Sequence, residues 1–83
     1  MFLKGLVRAK TSDASIRNGY ERSVTAWYTG SVANTGSVQD DFTFESDTAL
    51  NATWIASGSD VILQVTGKAG TTVLWVANII VTG

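Results

Sequence analysis

Residues 65–83 read VTGKAGTTVLWVANIIVTG, and the run from Val73 to Thr82 poses the question on which the fold turns. A strand in a small β domain alternates apolar and polar side chains, one row facing the core and the other facing water. Here one row runs Val73, Trp75, Ala77, Ile79, Val81, while the other runs Leu74, Val76, Asn78, Ile80, Thr82. Both rows are largely apolar. In a pair of packed sheets each strand has a single facing layer, so the row carrying Leu74, Val76 and Ile80 needs a cover that a short chain scarcely has the residues to supply. These three residues are therefore expected at an interface between subunits, the alternative being an internal cover by the N-terminal strand or a loop. Burying each fully contributes on the order of 1.5–3 kcal/mol before the cost of association.

The same reading follows from size. At 83 residues the chain makes one domain spanning 1–83, and a domain this small hides only about 60–65% of the surface its unfolded form exposes. Histidine and cysteine are both absent, which removes disulfides, thiolate chemistry, nearly every zinc site and every Ser-His or Cys-His catalytic arrangement. Oligomerisation is the remaining common support for so small a core. No cofactor is expected. With 45% hydrophobic and 16% charged residues the chain is too apolar to remain disordered. Its net charge of −1 offers no general field for nucleic acid. No apolar run approaches the ~18 residues of a membrane-spanning helix, and MFLKGLVRAK is too short and too interrupted by Lys4 for a secretory leader.

Periodicity points to an all-β antiparallel sandwich, jelly-roll-like, of six or seven strands. No segment repeats at helical spacing, there is no proline, and glycine clusters punctuate the chain at strand-like intervals. The first strand covers 2–10, with Leu3, Gly5, Val7 and Ala9 facing in, and residues 11–19 form a loop. The second covers 20–29, with Tyr20, Val24, Ala26 and Tyr28 on one face and Trp27 on the other. Residues 31–37 read as loop or weak edge strand, and 37–46 as a strand on which Phe42, Phe44 and Asp40 share a face. The next covers 50–56, with Leu50, Ala52, Trp54 and Ala56 on one side. Residues 60–66 follow, with Val61, Leu63 and Val65 inward. Gly67-Lys68-Ala69-Gly70 has hairpin chemistry and is expected to pair this strand with the last.

Five of the six basic residues precede residue 23, and five of the seven acids lie between 40 and 60. Solvated faces and loops account for most of this, while attraction between the two regions, across strands or subunits, favours register. Asp40 and Asp41 are adjacent and point to opposite faces of a strand, so they cannot act as a catalytic pair. Asp40, Asp41, Glu45 and Asp47 lack the spacing of a calcium loop, and no metal site is expected. Asn51-Ala52-Thr53 matches a glycosylation sequon by chance, inside a strand. Gly67 and Gly70 precede no helix that could hold a nucleotide phosphate.

The stretch Leu63-Gln64-Val65-Thr66-Gly67-Lys68-Ala69-Gly70-Thr71-Thr72-Val73-Leu74-Trp75-Val76-Ala77 resembles the C-terminal β module of bacteriophage tail-fibre and tailspike proteins. Trp54 in the preceding strand and Lys4-Gly5-Leu6-Val7-Arg8-Ala9 extend the likeness over almost the whole chain. The resemblance implies a homotrimer without catalytic activity, made in the bacterial cytoplasm and carried on the virion tail. There it assists chain registration and assembly. Such modules follow a shaft, so the chain is read as an excised domain or a stand-alone product. Two alternatives remain open. One is a lectin-like module that binds host surface polysaccharide through Trp27, Tyr28 and Tyr20, since aromatic faces stack on sugar rings and Arg8, Arg17 and Arg22 attract acidic glycans. The other is a separate phage decoration or fibre protein.

Overall fold

The computed structural model describes residues 1–83, and every regular element in it is a strand. β1 (Phe2–Lys10) and β2 (Arg17–Thr29) form a nine-pair antiparallel ladder in unbroken register, from Phe2 opposite Thr25 to Lys10 opposite Arg17. The turn between them is built by side chains. Asp13 accepts hydrogen bonds from the Thr11 hydroxyl (2.7 Å) and from the Ser15 amide (3.0 Å), and Thr11 Oγ1 accepts from the Ile16 amide (3.1 Å). These donors, the Ser15 amide first, hold the exposed Asp13 carboxyl down at about 2.

β3 (Val32–Thr35) and β4 (Gln39–Glu45) follow one another along the far side of β2, and β7 (Leu74–Thr82) lies along the free side of β1. The result is a sheet four strands wide, with β4 at one edge and β7 at the other. A register shift at Glu21/Arg22 places Asp40 opposite Arg22 and Phe42 opposite Glu21. This bulge puts Asp40 out of step with Phe42 and Phe44, correcting the expectation that the three share a face.

The second layer is a single hairpin, β5 (Asn51–Ser57) and β6 (Asp60–Thr66), turned by Gly58. Leu50, Ala52 and Trp54 are buried against Leu3, Val7, Ala9, Tyr20, Val24 and Ala26 of the large sheet. Trp54 donates its indole N–H to the Arg22 carbonyl at 2.8 Å. Gly5 sits directly beneath, where an added Cβ would lie 3.0 Å from Leu63 and 3.3 Å from the Trp54 ring. Glycine at this position lets the layers approach closely, since any side chain would push the Leu63 methyls and the Trp54 ring outward by a few tenths of an ångström.

One expectation fails. β6 does not pair with β7; the two belong to different sheets, and residues 67–73 carry the chain from one layer to the other. Gly70 supplies the left-handed turn (φ 73°), and Thr71 N–H bonds back to the Lys68 carbonyl at 3.2 Å. Gly70 thus serves a turn between layers, where the same backbone freedom is needed.

The unequal widths of the two layers explain the exposure along β7. Strands lie about 4.8 Å apart, so a two-stranded hairpin spans roughly half the width of a four-stranded sheet. Val73 and Trp75 reach the hairpin and pack near Leu50, whereas Ile79 and Val81, on the same parity, are 53% and 59% exposed. The row expected to meet the core does so only at its first residues.

Candidate functional site

The outer face of the large sheet, turned away from the hairpin, is where exposed apolar and charged side chains gather. The registers give its rows directly. Leu74 stands beside Lys10 and Arg17; Val76 beside Arg8, Gly19 and Phe44; Asn78 beside Leu6, Glu21 and Phe42; Ile80 beside Lys4 and Ser23. Directly opposed residues in an antiparallel ladder share a face, so each row crosses the sheet from β7 inward.

Leu74, Val76 and Ile80 thus form one stripe, as the sequence indicates, and each is about half exposed. β7 contributes five of the fourteen exposed large hydrophobic residues: Leu74, Val76, Ile79, Ile80 and Val81. It carries no charge, no proline and no bulge along its pairing with β1. Its outward backbone groups face no neighbouring strand. Natural edge strands normally carry a charge, a proline or a bulge that blocks further pairing, and β7 has none of them.

A shallow groove of 360 Å³ runs across this face, lined by Leu6, Arg8, Glu21, Phe42, Val76 and Asn78 over a floor at Gly19. The Phe42 ring lies across the glycine, 3.6 Å from where its Cβ would stand. Lys4 pairs with Glu21 at 3.2 Å. Arg8, Lys10 and Arg17 take part in none of the chain's ion pairs, which join Lys4 to Glu21, Arg22 to Asp40 and Lys68 to Asp47. Of these pairs Arg22–Asp40 links the basic N-terminal part to the acidic stretch. Lys10 and Arg17 stand directly opposite one another, a like-charge juxtaposition that the ladder bears unaided.

The three aromatic residues read as sugar-binding do not come together. Trp27 lies on the outer face, 48% exposed and opposite Asn34. Tyr28 is on the opposite parity, 50% exposed, with its hydroxyl donating to the Ser59 carbonyl at 3.0 Å. Tyr20 is only 2% exposed, which corrects its assignment to a glycan-facing surface. Its phenol donates to Glu45 (2.8 Å), lies 3.0 Å from the Leu50 carbonyl and accepts from Asn18 Nδ2 (2.9 Å). Arg22, read as a candidate for attracting acidic polysaccharide, is likewise 4% exposed. Alternation alone could not separate these buried polar residues from exposed ones, because the partners that satisfy them lie about thirty positions away.

Burial, followed by the hydrogen bond to Glu45, pushes the Tyr20 phenol up from 10.0 to about 12. The folded chain therefore holds this proton more tightly than the unfolded one. Its contribution to stability is fully present below pH 10 and is lost as the pH rises from 10 towards 12. Denaturant melts across this range are expected to show a midpoint that declines above pH 10, with a weaker decline in Tyr20→Phe. An equal decline in both proteins contradicts this origin.

Comparison with protein-family models, with curated proteins and with solved structures finds no match to this chain.

Proposed function

We propose that the chain is a non-catalytic assembly module, and that β7 docks on another copy of the same polypeptide. The observation that carries this reading is an unprotected edge strand with apolar side chains exposed on both faces. Half-burying Leu74, Val76 and Ile80 contributes about 1 kcal/mol each, and Ile79 and Val81 add similar amounts. Association costs several kcal/mol, so the side chains alone are insufficient and backbone pairing along β7 is part of the interface. A stable interface removes about 800 Å² per partner, roughly a sixth of this chain's 5062 Å² surface.

The likeness of residues 63–77 to phage tail-fibre and tailspike modules supports a trimer and a place on a virion tail. Symmetry argues for closure, since a repeated contact either forms a ring or grows without limit. The test is the mass in solution of Val76→Asp and Ile80→Asp. Light scattering is expected to move from an oligomer to a single chain, with the far-ultraviolet dichroism of a β protein retained. Substitutions that leave the wild-type mass in place overturn the reading.

Trp27 favours a second activity. Its half-exposed ring stands beside Asn34 and near Thr29, the side-chain types that hold a sugar. If this surface binds glycan, Trp27→Ala abolishes glycan-array signal while the oligomer survives. A signal unchanged by that substitution removes Trp27 from the interface with sugar.

A further inference from the structure

From the two edges of the large sheet we infer that subunits join head to tail, the β4 edge of one copy adding to the β7 edge of the next. This inference rests on the assembly reading and specifies the partner surface. Both strands lie at free edges of one sheet, each hydrogen-bonded to a single neighbour, β4 to β2 and β7 to β1. Because every pairing is antiparallel, β1 and β4 run in one direction and β2 and β7 in the other. A copy related by rotation about an axis parallel to the strands keeps those directions. Its β4 then meets β7 antiparallel, continuing the ladder without a change of pattern.

Chemistry complements geometry. β4 carries Asp40, Asp41 and Glu45 with no basic residue, and it exposes Phe42 and Phe44. β7 carries no charge, and Arg8 and Lys10 stand one strand behind it on the face of Leu74 and Val76, with Arg17 beyond. None of these three cations has an acidic partner within the chain. Phe42 and Phe44 share the face of Leu74 and Val76, and Asp41 accepts a hydrogen bond from Ser23 of that face, whereas Asp40 and Glu45 lie on the other face with Arg22 and Tyr20. Joining β4 to β7 therefore sets the aromatic rings against the Leu74–Val76 stripe and brings one acid, Asp41, to the side of the unpaired cations. Pairing two β7 strands across a twofold axis would also bury the stripe. It would leave the exposed Phe42 and Phe44 and the free β4 edge uncovered.

A mixing experiment separates the arrangements. One variant, Phe42→Lys with Phe44→Lys, spoils the β4 edge and leaves β7 intact. The other, Val76→Asp with Ile80→Asp, spoils β7 and leaves β4 intact. Each is expected to sediment as a single chain of 8.8 kDa, and an equimolar mixture to form a one-to-one dimer of twice that mass, since one good contact remains between them. If the β4 variant alone keeps the wild-type mass, or if the mixture stays monomeric at the highest soluble concentration, head-to-tail joining is overturned while assembly itself stands. A wild-type chain that is monomeric removes both. All four side chains are about half exposed, and Phe42→Ser with Phe44→Ser replaces the lysine pair should the latter fail to fold.

Discussion

Replacing Arg22 with leucine is expected to destabilise the fold by about 2–4 kcal/mol, although the side chain keeps much of its apolar bulk. Arg22 is 4% exposed. Its Nε donates to the Ala52 carbonyl at 3.1 Å, and its Nη1 donates to the Phe42 carbonyl at 2.7 Å and the Glu21 carbonyl at 3.3 Å. One guanidinium thereby ties β2 to β4 beside it and to β5 above it. It also lies 4.8 Å from the centre of the Tyr20 ring. Leucine leaves the Ala52 and Phe42 carbonyls without these donors, and a buried acceptor stranded in this way costs more than the bond contributed. For a domain of this size such a loss lowers the melting temperature by roughly 10–25 °C. Asp40, paired with Arg22 Nε at 3.1 Å, is different because its side chain is 71% exposed. Asp40→Asn is expected to cost less than about 1 kcal/mol. Equal effects at the two positions would show that the ion pair matters and the carbonyl contacts do not. Lysine at position 22 does not rescue, since an ammonium cannot present the planar set of donors that reaches both strands.

The second large effect is at Trp54. Truncation to alanine is expected to cost about 3–5 kcal/mol. That approaches the whole stability of an 83-residue domain, on the order of 4–12 kcal/mol. The ring is 4% exposed, fills the space between Leu3, Val24 and Ala26, and is covered by Val38, Val61 and Leu63. Gly5 lies beneath it, and a Cβ there would come within 3.3 Å of the ring. Trp54→Phe retains most of the volume but removes the donor to the Arg22 carbonyl, so it is expected to cost about 1–3 kcal/mol. Chemical denaturation followed by circular dichroism measures both. An alanine variant that melts like the wild type would mean that the hairpin is not held by this ring.

The contrast between these two residues shows how far the sequence could be read. Trp54 was legible: it shares a parity with Leu50 and Ala52, and all three are buried. The inward row of β1 and the limits of β6 were legible for the same reason, because alternation is a local property of the chain. Arg22 and Tyr20 were not. A charged or phenolic residue on an inward row is tolerable only when distant carbonyls and carboxylates meet it, and those partners arrive through pairing that no local pattern encodes. The turn at 67–70 failed for a related reason. Glycine signals a backbone conformation without saying whether the next strand returns to the same sheet or crosses to the other. The stripe at Leu74, Val76 and Ile80 was legible as apolar on an uncovered face. That Ile79 and Val81 are uncovered as well was not, since it follows from the unequal widths of the two layers.

Stability ought to carry a signature of assembly. A fold supported by neighbouring copies melts at a temperature that rises with protein concentration, whereas a self-sufficient chain does not. Val76→Asp is expected to abolish that dependence as well as lower the melting point.

The most direct measurement is sedimentation equilibrium on the wild-type chain over a wide range of concentration. A closed species is expected, its mass a small whole multiple of 8.8 kDa and reached without continued growth. A stably folded particle of a single chain at every concentration would contradict this expectation.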